Sequence, residues 1–143
     1  MAIIVLDTSV IIRLVLPSQI DPRAQMLWEQ CVAAQHQIVL PSQALSETMA
    51  IIRGQVYRSR LTAVAGEAVF SAFRALLTQT QIETSELGAW EIAKRYNRPN
   101  TYDSEFYSQA ERLAGEFWTA DDRLVNSMGT RKPTWVHRLS EIQ

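Results

Sequence analysis

Residues 101–124, TYDSEFYSQAERLAGEFWTADDRL, fix two aspartates on a helix–strand–turn unit, and this constrains the chain more than any other stretch. Phe106, Ala110, Leu113 and Ala114 recur at helical spacing, which predicts one buried stripe. Asp103 precedes Phe106 by three residues, Tyr107 by four and Ala110 by seven, so it belongs to that stripe and not to the solvated face. The run EFWT at 116–119 reads as a short apolar strand that delivers Asp121 at its carboxyl end. In an open α/β sheet that end is where ligands bind.

The remainder of the chain alternates in the same way. Ile3–Leu6 is a branched apolar run suited to a central parallel strand buried on both faces. Asp7 ends it, and Thr8–Leu16 reads as a helix that Pro17 stops. Asp21-Pro22 is a helix start with proline at its first position, leading a helix to about Ala34 in which Met26, Leu27, Val32 and Ala33 are apolar. Gln37–Leu40 is a second strand. Pro41-Ser42 opens a further helix with Ser42 as its cap, and this helix carries Glu47. Glu47 shares a face with Ala44, Ala50, Ile51 and Gly54, a setting that suits a carboxylate turned inward.

Leu61–Leu77 forms one long helical pattern, Gln81-Ile82 a short strand, and Ser85–Tyr96 a helix with Trp90 facing inward. A short helix from Asp122 and a last strand near Thr134–Val136 complete the chain. Strands alternating with helices predict an α/β fold, a mostly parallel central sheet of about five strands flanked by helices. Right-handed crossovers would place every strand's carboxyl end on one edge. With no repeat or linker to divide it, residues 1–143 read as one domain.

Charge and composition narrow the function. The formal net charge is −1, so overall charge points neither toward nor away from nucleic acid. Arginine gathers locally at Arg53, Arg58 and Arg60, at Arg95 and Arg98, and with Lys132 at Arg131, where its planar fork could grip phosphates. The apolar opening is interrupted by Asp7 and Arg13, is too short to span a bilayer and has no basic segment before it, so a cytoplasmic protein is expected. One cysteine, Cys31, excludes an internal disulfide and a multi-cysteine metal site, and beside Leu27 and Val32 it reads as core packing.

Each acid alone has an ordinary explanation. Asp7, Asp103 and Asp121 stand at or near helix starts, where an aspartate satisfies orphan N–H groups. Brought to one sheet edge with Glu47, however, the four carboxylates would repel one another. At about 4 Å and an effective dielectric of 20, each pair costs on the order of 4 kcal/mol before screening. Such a cluster takes up protons or holds a cation, and an all-oxygen donor set favours Mg²⁺ or Mn²⁺ over zinc. His36, in a polar turn, and His137, near the end of the chain, are not expected ligands.

Four stretches in this order, VLDTSVII at 5–12, LSETMAIIR at 45–53, TYDSEFYSQAERL at 101–113 and WTADDRL at 118–124, resemble a PIN-domain ribonuclease. The likeness is narrower still, to the VapC-like toxins of bacterial toxin–antitoxin pairs, and it spans nearly the full length. It implies that Asp7, Glu47, Asp103 and Asp121 form a site for Mg²⁺ or Mn²⁺ and that Ser9 and Thr119 brace it. Ser104 stands where the family often has alanine. Asp122 is a second acid beside the expected one, displaced by about 100° around the following helix. The resemblance further implies hydrolysis of RNA phosphodiester bonds, homodimers formed through the Arg53–Leu77 region, and silencing by an antitoxin whose basic side chain enters the acidic pocket. Two other readings stay open at this point: a catalytically silent PIN-like module that binds RNA or protein, and an aspartate-based phosphotransfer or receiver-type domain. Against the latter, Ser9 occupies the place of the second aspartate of a haloacid-dehalogenase pattern, and lysines occur only at 94 and 132.

Overall fold

The computed structural model describes residues 1–83, 86–97 and 102–143, the side chains of 86–89 and 102–105 excepted. Ile3–Leu6 forms β1, with Val5 and Leu6 fully buried. Asp7 caps α1 (Thr8–Val15) by accepting from the Val10 N–H. Leu16, before Pro17, is extended, as the proline ring demands of its predecessor, and a 3-10 turn follows. Asp21 caps α2 (Pro22–Ala33), accepting from Arg23 N at 2.9 Å. The inward side of α2 is Ala24, Leu27, Trp28 and Cys31, so Val32 falls outside it and is exposed.

β2 (Gln37–Pro41) leads into α3 (Gln43–Tyr57). Ser42 occupies the cap position in helical conformation and makes no side-chain cap. Its N–H instead donates to Glu83 O at 2.9 Å. Thr62, not the Leu61 region, opens α4 (Ala63–Leu77) by accepting from Ala65 N. β3 (Thr80–Glu83) follows, then α5 (Glu86–Arg95) and α6 (Tyr102–Arg112). The expected start of α5 at Ser85, and Arg98, lie outside the described residues. Trp90 is 60% exposed, contrary to expectation, because the buried side of α5 runs through Ile92, Ala93 and Tyr96. Positions two apart on a helix, such as Trp90 and Ile92, face nearly opposite directions.

Phe106, Tyr107 and Ala110 are buried as the stripe predicts, but Ala114 is not part of it. The helix has ended, Ala114 is left-handed at φ 53°, and Gly115 N donates back to Ala110 O at 2.9 Å. A Cβ on Gly115 would lie 2.5 Å from Ile3 O, so only glycine lets the chain enter β4 (Glu116–Thr119) here. α7 (Asp122–Met128) and β5 (Val136–Arg138) complete the fold. The last strand begins two residues later than the apolar pattern suggests. Phe117 pairs with Val136 and Thr119 with Arg138, and His137 stacks on Trp118 with centroids 4.6 Å apart.

The five strands form one parallel sheet in the order β3-β2-β1-β4-β5. The chain builds outward from β1 to β3, then returns to β1's other side for β4 and β5. The strand order therefore reverses between β1 and β4, the point at which open α/β sheets leave a crevice beyond their carboxyl ends.

Candidate metal centre

Asp7 and Asp121 flank that crevice. Asp7 follows Leu6, which pairs with Trp118, and its N–H donates to Trp118 O at 3.3 Å. Its side chain is 5% exposed. The Ser9 hydroxyl and Val10 N–H (3.3 Å) donate to Oδ1, and the Thr119 hydroxyl donates to Oδ2. These three donors fix the orientation of the Asp7 carboxylate.

Thr119 joins the two aspartates. Fully buried at the end of β4, it accepts the Asp121 N–H on Oγ1 at 2.9 Å while its hydroxyl bonds Asp7. Ser9 makes a parallel bridge, accepting from Ala120 N at 2.9 Å and lying 3.4 Å from Thr119 Oγ1. Ser9 and Thr119 thus both donate to the Asp7 carboxylate and both accept from the backbone that leads to Asp121. Asp121 Oδ1 accepts from Arg123 N (3.0 Å) and Leu124 N (3.3 Å), capping α7. A carboxylate offers about four acceptor positions, so capping and metal ligation are compatible.

Asp122 is turned to another task. Arg138 holds it at 3.2 Å and reaches Asn126 Oδ1 at 2.8 Å, clasping α7 to the end of β5. Both aspartates, Asp121 and Asp122, line a cleft of about 480 Å³ together with Ser9, Arg13, Ala120 and Arg123.

Glu47 is half-buried and accepts from Thr8 Oγ1 at 2.6 Å, which ties α3 to the residue after Asp7. Asp103 falls in the first turn of α6, and its side chain and that of Ser104 lie outside the described residues. Among the described residues no three acidic, histidine or cysteine side chains gather closely enough to hold an ion. The end of β3 positions both helices concerned. Glu83 O accepts from Ser42 N, at the start of α3, and from Gln109 Nε2 of α6 at 2.6 Å. The Glu83 carboxylate also pairs with Arg112.

Thr8, Gln109 and Arg138 were not singled out by sequence reasoning. For Thr8 a signal existed, a hydroxyl directly after the strand-end acid. For the other two there was none, since each partner is distant in sequence. Two of the arginine groups serve the fold. Arg95 pairs with Glu111 at 2.7 Å, while Arg131 lies over the Tyr96 ring and donates to Arg95 O. Lys132 donates to Val136 O. Arg53, Arg58 and Arg60 are exposed.

Burial, with a smaller contribution from Glu116, pushes the Cys31 thiol up to about 11, in keeping with a packing role. His137 Nδ1 lies 3.0 Å from Glu141, away from the Asp7 network. No helix among the described residues is long and apolar enough to cross a membrane.

No curated protein matches the chain. Among solved structures, PAE2754 from Pyrobaculum aerophilum superposes with a TM-score of 0.69 at 13% identity, over 98% of this chain and 91% of its own. VapBC2 from Rickettsia felis, solved bound to a DNA fragment from its promoter, superposes with a TM-score of 0.67 at 15% identity, over 95% of this chain and 98% of the matched one. Both likenesses are of fold. The PIN domain family model matches residues 4–127, from β1 through α7, and on that match the chain belongs to the PIN domain family.

Proposed function

We propose that the chain is a metal-dependent endoribonuclease and acts as the toxin of a toxin–antitoxin pair. The observation that carries this reading is the Asp7–Thr119–Asp121 network at the sheet's reversal point, where a buried carboxylate is held by hydroxyl and N–H donors. The donor set offered there is oxygen, and it fits Mg²⁺ or Mn²⁺. Asp7, Asp103 and Asp121 would ligate directly, and Glu47 would ligate or hold a water, with residues 1–143 acting as one domain. A bound ion supplies an activated water and neutralises charge developing on phosphate.

The chain's own residues supply the geometry. Ser9 and Thr119 keep the Asp7 carboxylate in one orientation, and Thr8 does the same for Glu47. The reaction adds water across the P–O3′ bond: the water oxygen bonds phosphorus, O3′ departs and takes up a proton. The products carry a 5′-phosphate and a 3′-hydroxyl.

We assign the protein to the cytoplasm and expect an antitoxin that sends a basic side chain to the acids. A homodimer through α3 and α4 is supported by Tyr57 and Val64, which are 79% and 82% exposed beside an apolar groove of about 270 Å³ between those helices. The direct test is incubation of purified protein with RNA in Mg²⁺, Mn²⁺ or EDTA, followed by end-group analysis. Cleavage that needs metal, leaves 5′-phosphates and is lost in Asp121→Asn supports the reading. Binding without cleavage would favour a silent binding module instead.

A further inference from the structure

Arg13 lines the cleft that Ser9 and Asp121 also line. It lies on α1, whose amino end begins directly after Asp7. Side chains on a helix tilt toward its amino end, and Arg13 folds back along α1 until Nη1 donates to Ser9 O at 2.9 Å. Ser9 is the residue whose hydroxyl bonds Asp7. The guanidinium is therefore anchored one residue from the carboxylate network, half-buried, in the wall of the cleft that Asp121 also lines.

Its electrostatic setting is unusual for a cleft arginine. Among the described residues Arg13 has no carboxylate partner, although Asp121 and Asp122 line the same cleft. Asp122 is taken by Arg138, and Asp121 is turned onto the α7 amino end. A fixed cation beside acids proposed to bind a metal opposes cation binding there, and an anionic group entering the same cleft would offset that cost. One edge of the fork is held by a backbone carbonyl. The guanidinium's other N–H donors suit a planar or tetrahedral oxyanion, which arginine can grip with two parallel bonds.

We propose that Arg13 is the phosphate clamp of this site, binding a non-bridging oxygen of a backbone phosphate adjacent to the one cleaved in single-stranded RNA. The proposal rests on the ribonuclease reading above. It differs from the arginine groups legible in the sequence, because those at 95 and 131 are committed to the fold.

The test compares wild type, Arg13→Gln, Arg13→Lys and the exposed control Arg23→Gln. Binding is followed by anisotropy of a fluorescein-labelled single-stranded RNA in Ca²⁺ over a salt series, and cleavage in Mn²⁺ by kcat and KM. Losing one charged contact to phosphate should weaken RNA binding about tenfold or more in Arg13→Gln and raise KM in step, with a smaller change in kcat. The slope of log Kd against log salt should become shallower by about 0.7, the value for one single-strand phosphate contact. Arg13→Lys should recover part of the loss, and the Mn²⁺-induced rise in Tm should persist in all variants. An unchanged Kd and salt slope in Arg13→Gln, or an equal change in Arg23→Gln, would overturn the clamp. A wild type that binds RNA in an Arg13-dependent way yet never cleaves it would uphold the clamp and sink the nuclease reading instead.

Discussion

Thr119 and Asp7 stand 112 residues apart in sequence, yet the Thr119 hydroxyl donates directly to Asp7 Oδ2. Thr119 Oγ1 itself accepts the Asp121 N–H, so one buried hydroxyl sets the spacing of two strand-end aspartates.

Thr119→Val keeps the shape and removes the hydroxyl. It takes one donor from the buried Asp7 carboxylate and the acceptor from the Asp121 N–H, and should cost about 1–3 kcal/mol in urea unfolding. Metal response should weaken with it. Thr119→Ser retains the donor and should behave close to wild type in both measurements.

Asp121 and Asp122 are separable by substitution. Asparagine caps a helix about as well as aspartate, so Asp121→Asn should change stability by less than about 0.5 kcal/mol while abolishing activity. Asp122→Asn loses only an exposed ion pair to Arg138, worth about 1 kcal/mol or less, and should keep most activity. Equal losses of activity would mean that Asp122 shares the role assigned to its neighbour.

Gln109 places α6. Its Nε2 bonds Glu83 O, while Oε1, fully buried, has no partner among the described residues. Gln109→Met exchanges a half-satisfied amide for an apolar chain of similar shape, and stability should shift by less than about 1 kcal/mol. Activity should fall more than stability does, because the helix carrying Asp103 loses one of its ties to β3 and keeps the Arg112–Glu83 pair. Matched small effects on both would reduce Gln109 to packing.

Alkaline stability should fall in two stages. Burial, and next the hydrogen bond to Tyr96, raise the Tyr107 phenol well above its ordinary value, and burial lifts Cys31 to about 11. Both groups keep their protons in the folded state at a pH where the unfolded chain has lost them. The native state then binds more protons, so unfolding free energy declines as pH rises. The decline should begin near pH 9 through Cys31 and steepen above about 10 through Tyr107. Cys31→Ala should flatten the first stage and Tyr107→Phe the second. Urea midpoints from pH 7 to 11 check both, and a flat profile in wild type would contradict the burial argument.

The strand-end acids were legible because strands and helix caps leave local marks. Ile3–Leu6 followed by Asp7, and EFWT followed two residues later by Asp121, needed only their neighbours to be read. What stayed hidden depends on partners far away in the chain. The clasp of Arg138 on Asp122, the bond from Thr8 to Glu47 and the return of Gln109 to Glu83 are each decided by sheet order. Trp90 shows the limit of composition: hydrophobicity suggested burial, but the register set by Ile92, Ala93 and Tyr96 turned it outward. His137, a polar residue in a short edge strand, is held by stacking on Trp118, so the last strand could not be placed from apolar pattern alone.

The central claim is that these carboxylates hold a divalent ion, and melting temperature tests it most directly. Purified wild type, Asp7→Asn and Asp121→Asn would be melted in EDTA, Mg²⁺ and Mn²⁺. An ion that binds only the folded state adds about 2.7 kcal/mol at a hundred times its Kd. The account predicts a rise in wild type that is absent or much reduced in both variants. A wild type whose Tm is the same with EDTA and with either metal, or a rise that survives both substitutions, would contradict it.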